Sequence, residues 1–563
     1  VEDLGSLNDH SGPVGDAEKY AARVFGADQT YFVVAGSSAS NEIILHSTVT
    51  HGDIVLVDRN CHKSLNAALN MTGATPVYLV PSRNPRGVIG PVHHDELAPD
   101  AIRAKLEASP LVKDPNQKPV LAVLTNSTYD GLCYNVERTT QLLGQSVDRI
   151  HYDEAWYGYA RFNPLYSGRL AMHDGPRSDD DPTVYATQST HKLLAALSQA
   201  SMVHVRSGRK LVNPSLFNEA FMMHTSTSPL YTIMASLDVS SKMMHDSGHL
   251  LTAETIQEAV DFRQEMLRVG QSLAARKQGD WWFETWQADT VAGTPFVDAD
   301  PGLLETSPGA WVLHPGKAWH GYGDLEEDYC MLDPIKVTIL TPGVSDDGRL
   351  EDHGIPASLV SSFLETRGIV VEKTETYSFL VLFSMGLTKG KWGSLVAELM
   401  QFKELYDADA PVSEVLPELV KQYPQRYGDL TIQALAQEMH RTIKETDILG
   451  NLDRAFENLP EPVMRPCTAF EELVRGNVER VAAKELKGRT LAVQVVPYPP
   501  GIPILMPGER FGDDTKAVGD YLLGLQALDA HFPGFEHDIH GVEVEPDKNG
   551  EPTYYLYCLS GRK

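Results

Sequence analysis

TVYATQSTHKLLAALSQ, residues 183–199, is the stretch from which the fold is read. A run of apolar and β-branched residues stops at Gln188. It gives way to a serine, a threonine, a histidine and a lysine, then turns apolar again. Lys192 therefore stands at the doorway of a buried segment. A lysine there is either a snorkelling surface residue or a nucleophile held in a dry pocket, and the neighbouring stretches distinguish the two.

Six further runs share the pattern: TYFVVAG (30–36), DIVLVDR (53–59), TPVYLVPS (75–82), PVLAVLTNS (119–127), DRIHYDEA (148–155) and ASMVHVR (200–206). Each ends in a polar loop, and helical periodicity follows. Near-continuous apolar strands alternating with helices predict an α/β fold with a mainly parallel, seven-stranded sheet covered on both faces. Ligands of such folds bind beyond the carboxyl ends of the strands.

Residues 210–285 read as helical, ending near GDWWFETW (279–286). KVTILTPG (336–343) and YSFLVLFSMG (377–386) suggest a smaller α+β domain. The remainder is helical first, then carries the loop VPYPPGIPILMPGERF (496–511) and a β-like piece, TYYLYCLS (553–560). Three domains are expected, over 1–242, 243–405 and 406–563, the last also α+β. That number suits a 563-residue chain.

Composition narrows the function. Against 76 Asp+Glu stand 48 Lys+Arg, a formal charge of −28. This argues against a nucleic-acid or anionic-membrane partner and modestly favours a cationic ligand. The five cysteines are scattered and free of CxxC spacing, which fits a reducing, cytoplasmic setting rather than a disulfide framework or zinc site. FLVLFSMGL (379–387) is too short for a membrane span, and no signal peptide is evident.

The strand ends hold the candidate chemistry. GSSASN (36–41) runs into the helical segment EIILHSTV. Its small residues let backbone amides approach an anion at a helix N-terminus, with Ser37, Ser38 and Ser40 offering hydroxyls. An ordinary N-cap is the competing reading, and no GxGxxG fingerprint is present. In DRNCHKS (58–64), His62 either lies over a planar ligand or satisfies a loop carbonyl. TNSTYDGLCYN (125–135) reads as a turn at Asp130-Gly131. HYDEAW (151–156) places Asp153 at a strand end, where an acid is costly unless paired with a cation or a protonated ring.

Lys192 follows Asp153 by 39 residues, which puts the two at the ends of consecutive or near-consecutive strands. An acid and a lysine so placed can sit on opposite sides of one ligand. Pyridoxal 5'-phosphate needs these parts: a lysine for the Schiff base, an acid that keeps the pyridine nitrogen protonated, and a phosphate cradle.

These motifs, with STHKLLAALSQAS, MMHTSTSP, DPIKVTILTPG and YPPGIPILMPGE, resemble over essentially the whole chain the bacterial inducible lysine/arginine/ornithine decarboxylases. The resemblance implies a pyridoxal-phosphate enzyme with the aspartate-aminotransferase (fold type I) architecture. It implies Lys192 as the Schiff-base lysine, Asp153 as partner of the pyridine nitrogen, His62 stacked on the ring and Ala155 beneath its other face. Ser38, Ala39, Ser189 and His191 would surround the phosphate with Ser37. Ser226 or Thr227 of HTSTSP would reach the phosphate of a neighbouring subunit, so that an obligate homodimer completes each site. Trp156 would flank the substrate entrance, and Glu509 would meet the distal cationic group of the substrate. Uptake of one proton per turnover fits acid resistance or polyamine supply.

Family members carry an N-terminal wing domain and a linker, and the wing assembles dimers into decamers. This chain opens at VEDLGSLNDHSGP, inside the linker-to-cofactor region, so the wing is expected to be absent here and the higher assembly is left open.

For the substrate, HYDEAWYGYARFNPLY resembles the arginine enzymes. VVEKTETYSFLVLFSMGLTKGKW, TNSTYDGL, KLLAALSQASM and MPGERF resemble the lysine enzymes. Lysine leads, arginine is the alternative, and ornithine fits least. The rival activities are a fold type I aminotransferase or aldolase-type lyase, and a non-catalytic relative. The first would want an arginine clamp for the substrate carboxylate; the second would have lost Lys192 or Asp153. HDSGH (245–249) spaces two histidines four apart, but lacks the glutamate and third ligand of a zinc site, so no metal is expected. Trp281, Trp282 and Trp286 read as packing residues.

Overall fold

The computed structural model describes residues 2–277, 280–498, 501–548 and 550–561. Gly279 of the tryptophan cluster and the proline pair 499–500 of the late loop lie outside them.

All seven runs become strands of one sheet. These are β1 (Gln29–Val33), β2 (Ile54–Asp58), β3 (Thr75–Leu79), β4 (Leu121–Thr125), β6 (Arg149–Asp153), β7 (Thr183–Gln188) and β8 (Ser201–Arg206); β5 (Leu132–Tyr134) lies outside it, paired with Cys330–Leu332. The order is β1-β8-β7-β6-β4-β2-β3. Every pair from β7 to β3 is parallel, and β8 alone runs against its neighbours β7 and β1. The reason these runs form strands is visible in their burial. All five residues of β2 and all six of β7 and β8 are buried, as a sheet covered on both faces requires.

Helices α1 (Gly12–Phe25), α2 (Gly36–Thr48) and α3 (Lys63–Thr72) flank the first strands. A 46-residue helix, Tyr231–Arg276, then leaves the large sheet. The expected domain boundary at 242 falls inside this helix, whose backbone hydrogen bonds continue unbroken, so no linker exists there. The boundary at 405 likewise falls inside the helix Lys389–Asp407. Gly248 sits in the middle of the long helix for a packing reason: a Cβ there would lie 2.9 Å from Phe162 and from Met244.

The next unit is a four-stranded antiparallel sheet ordered Lys373–Thr374, Ser378–Leu382, Lys336–Leu340 and Glu284–Thr285. Beyond it, helices Ile432–Thr446, Ile448–Glu457 and Lys516–His531 pack with a three-stranded antiparallel sheet of Val478–Ala482, Pro552–Leu559 and Val542–Pro546. Among the described residues, no helix is long and apolar enough to cross a membrane.

Candidate active site

The carboxyl ends of β2, β4, β6 and β7 converge on one region, and most of the expected residues meet there. Asp153 is the last residue of β6, and its strand partner in β7 is Thr187. The chain runs from Thr187 through Gln188 and Ser189 into a single helical turn, Thr190–Leu193, that carries Lys192. The Lys192 ammonium lies 4.5 Å from the centre of the Trp156 ring. Desolvation pushes its pKa down to about 8, helped by the buried Lys336 and opposed by Asp153 and Glu372. A lysine in this state is half neutral at about pH 8, so it offers a nucleophilic amine at a far lower pH than a lysine in water.

Asp153 is buried. Its Oδ2 accepts a hydrogen bond from Asn41 Nδ2 at 2.9 Å, and its Oδ1 accepts the Ala155 amide at 3.2 Å. Two more buried carboxylates flank it and are spent on structure. Asp58 accepts the amides of Asn60 and Thr125. Glu154 accepts from the Ala171 amide, Asn126 and Gln188. Burial pushes Asp58 up to about 6 and Glu154 up to about 7. Asp153 has two donors of its own, the Asn41 amide and the Ala155 backbone, and is the one of the three that ends its strand beside Lys192 and His62.

His62 is the N-cap of α3: its Nδ1 accepts the Ser64 amide at 3.3 Å and lies 2.9 Å from Ser64 Oγ. The residue is exposed, and the charges of Asp153 and Lys192 both act on its ring. Desolvation lowers its pKa, with Asp153 pulling the other way.

The helix α2 begins at Gly36, so GSSASN forms its first turns rather than a loop ahead of it. Its N-cap, Ala35, makes no side-chain cap. This corrects the N-cap reading and leaves first-turn amides without a capping side chain, at the positive end of a 13-residue helix. Ser37 and Ser38 are half-buried and Ala39 is buried. Ser189 Oγ donates to Ser37 Oγ at 2.7 Å, which joins this turn to the Lys192 segment. His191 is held to the Ala200 carbonyl through Nδ1, at 2.7 Å. Uncapped helix amides beside two linked hydroxyls form the donor set of a phosphate cradle. With Asp153, His62 and the desolvated Lys192 alongside, the residues present fit pyridoxal phosphate.

One expected residue lands elsewhere, and the pair expected at a neighbouring subunit's phosphate lies on the surface. Ser226 and Thr227 are exposed on the segment that follows helix Pro214–Met223. Glu509 is not open to a substrate. It is buried, and its Oε2 accepts Arg59 Nη2 at 2.9 Å and the Met506 amide at 2.7 Å. A buried carboxylate needs a cation, and this one finds it within the chain before any substrate arrives.

Four residues that the sequence reading gave no role also belong to the site. Asn41 orients Asp153. Lys336, from the four-stranded sheet, is buried and hydrogen-bonds Ser127 beyond β4. Tyr129 packs its ring against Trp156 at 5.4 Å and donates its hydroxyl to Glu372 at 2.9 Å. Glu372 is only half-buried, and its charge is felt at Lys192. Their shared signal was a polar residue inside a motif whose other members were already of interest: GSSASN, TNSTYDGLCYN, DPIKVTILTPG and VVEKTETY.

Comparison with known proteins agrees with this geometry. Residues 1–391 match the Orn/Lys/Arg decarboxylase major domain and residues 450–560 the C-terminal domain of the same family. The chain is 50% identical over 564 residues to a biodegradative arginine decarboxylase of Escherichia coli, covering 99% of this chain and 74% of that protein. It is also 50% identical over 562 residues to a lysine decarboxylase of Pseudomonas aeruginosa, covering 99% and 73%. A solved structure of lysine decarboxylase A from Pseudomonas aeruginosa superposes with a TM-score of 0.94 at 50% identity, over 100% of this chain and 73% of that one.

Proposed function

The chain belongs to the Orn/Lys/Arg decarboxylase family, pyridoxal-phosphate carboxy-lyases of basic amino acids, and from that premise we propose that it converts L-lysine to cadaverine and CO₂. Arginine, giving agmatine, is the alternative. The observation that carries the reading is the arrangement at the strand ends: a desolvated lysine, Lys192, on the turn after β7, and a buried acid, Asp153, at the end of the adjoining β6, beside an uncapped helix N-terminus.

Ser37, Ser38, Ala39, Ser189 and His191 would hold the phosphate, His62 and Ala155 the two faces of the ring, and Asp153 the proton on its nitrogen. When bound, the cofactor supplies an electron sink for the pair left behind as CO₂ departs. Lys192 would hold the cofactor covalently and, as a desolvated amine, would take up and give back a proton beside it. With a pKa near 8 it exchanges protons at little cost near neutral pH. Trp156 and Tyr129 wall the cleft and exclude water. In place of Glu509, Glu372 would meet the distal cation of the substrate, since it is the half-buried carboxylate whose field reaches Lys192. A single carboxylate suits the compact ammonium of lysine, whereas a guanidinium favours a two-pronged fork.

Ser226 or Thr227 would complete the cradle of a second copy, which makes the working unit a homodimer; decamers would need a wing domain upstream. A cytoplasmic setting suits the five cysteines, all buried and free. Rates of CO₂ release from L-lysine and L-arginine, compared as kcat/KM, test the substrate. A higher value for lysine is expected; a higher value for arginine would reverse the order.

A further inference from the structure

The loop that bears His62 is pinned from a distant part of the chain. Only Arg59 to His62 separate β2 from α3. Arg59 is fully buried, and its guanidinium lies over the Tyr78 ring at 4.8 Å. Its Nη2 donates to the Ile504 carbonyl at 3.1 Å and to Glu509 Oε2 at 2.9 Å. Among the described residues its Nε and Nη1 have no hydrogen-bond partner, and Glu509 provides the anionic compensation of this charge. The same late segment inserts Met506, fully buried, into a small core with Val55, Val57, Cys61 and Leu65. Cys61 is the residue beside His62. An ion pair and an apolar plug, both from 504–509, thus close on a four-residue connection.

We propose that Glu509, acting through Arg59, is a positioning residue for His62, with the segment Ile504–Glu509 as the clamp that sets the height of the His62 ring in the site. Breaking one partner of a buried ion pair leaves an uncompensated charge that the loop must move to hydrate. His62 lies three positions along the same connection. The inference rests on the assignment of His62 to the cofactor ring, and its test separates the two.

The test is a double-mutant cycle on the holoenzyme, reading the loss of the visible cofactor band after dilution into cofactor-free buffer. Glu509→Gln is expected to speed cofactor release by roughly tenfold or more, as is His62→Ala. Together they should release no faster than either alone, because both act on one contact. In the cofactor-free protein, the ring-carbon NMR signal of His62, assigned by its absence in His62→Ala, should titrate at a higher pH in Glu509→Gln, since desolvation is what depresses it. If Glu509→Gln fails to fold, Glu509→Asp, which keeps the charge but draws it back from Arg59, carries the same readouts. Additive effects on release, or an unmoved His62 titration, would overturn the clamp while leaving His62 at the ring. No effect of His62→Ala on release would overturn both.

Discussion

Asp153 and Lys192 are brought together by neighbouring parallel strands: Asp153 closes β6 opposite Thr187 of β7, and Lys192 follows five residues later on the helical turn after β7. Their 39-residue separation in sequence is one strand-to-strand crossover. The sheet therefore brings an acid and an amine to the same edge from two rigid elements, which is where a precise site is best built.

Asp153→Asn removes the charge that would hold a proton on the ring nitrogen, while keeping the Asn41 and Ala155 contacts within reach. A loss of about 100-fold or more in kcat is expected, with retained folding by circular dichroism. Asn41→Ala leaves the charge but frees its orientation, and a smaller loss of roughly tenfold is expected.

The pKa of Lys192 predicts a pH profile. Burial lowers it from 10.5 to about 8, so the neutral amine is present at a lower pH than for a lysine in water. Capture of pyridoxal phosphate by the cofactor-free protein should therefore rise as pH climbs through about 8 and level off above it. Trp156→Ala opens the amine to water, and the midpoint should move up toward 10.5. Stopped-flow absorbance follows both. A wild-type midpoint near the ordinary lysine value would contradict a dry site.

Glu372→Gln should raise KM for lysine by about tenfold or more and change kcat less, because the carboxylate would bind the distal cation equally in ground and transition states. Tyr129→Phe, which loses the hydroxyl held by Glu372, should raise KM by a smaller factor. A fall in kcat at constant KM would place Glu372 near the reacting atoms instead.

Sites shared between subunits complement one another. Lys192→Ala and a Ser226→Ala, Thr227→Ala double variant should each be weakly active or inactive alone. Co-expressed, they should regain activity in mixed dimers that hold one intact site. Failure to regain it, with mixed dimers present by native mass spectrometry, would confine the phosphate contacts to one chain.

The large sheet was legible because its strands are buried on both faces, so each run of β2, β7 or β8 declares itself without its partners. The order of strand ends then placed Asp153, Lys192 and His62. Helix α2 was set too late in the sequence because GSSASN looks like a cap, yet small residues also start a helix when its amides are left for a ligand. The boundary at 242 fell inside the stretch 210–285 already read as helical, and one continuous 46-residue helix runs through it. Glu509 was misread because burial is a tertiary property: nothing local in MPGERF reveals that Arg59, 450 residues earlier, occupies its oxygen. Tyr129 and Glu372 were missed for the same reason, since their hydrogen bond spans 243 residues.

The central claim is that Lys192 and its surroundings make this chain a decarboxylase of basic amino acids. Parallel measurement of CO₂ and amine formed from L-lysine, by the wild type and by Lys192→Ala, tests it most directly. Equimolar CO₂ and cadaverine from the wild type, with loss of both and of the visible cofactor band in Lys192→Ala, is the predicted result. Transfer of the amino group to a keto acid without CO₂, or undiminished CO₂ release by Lys192→Ala, would contradict it.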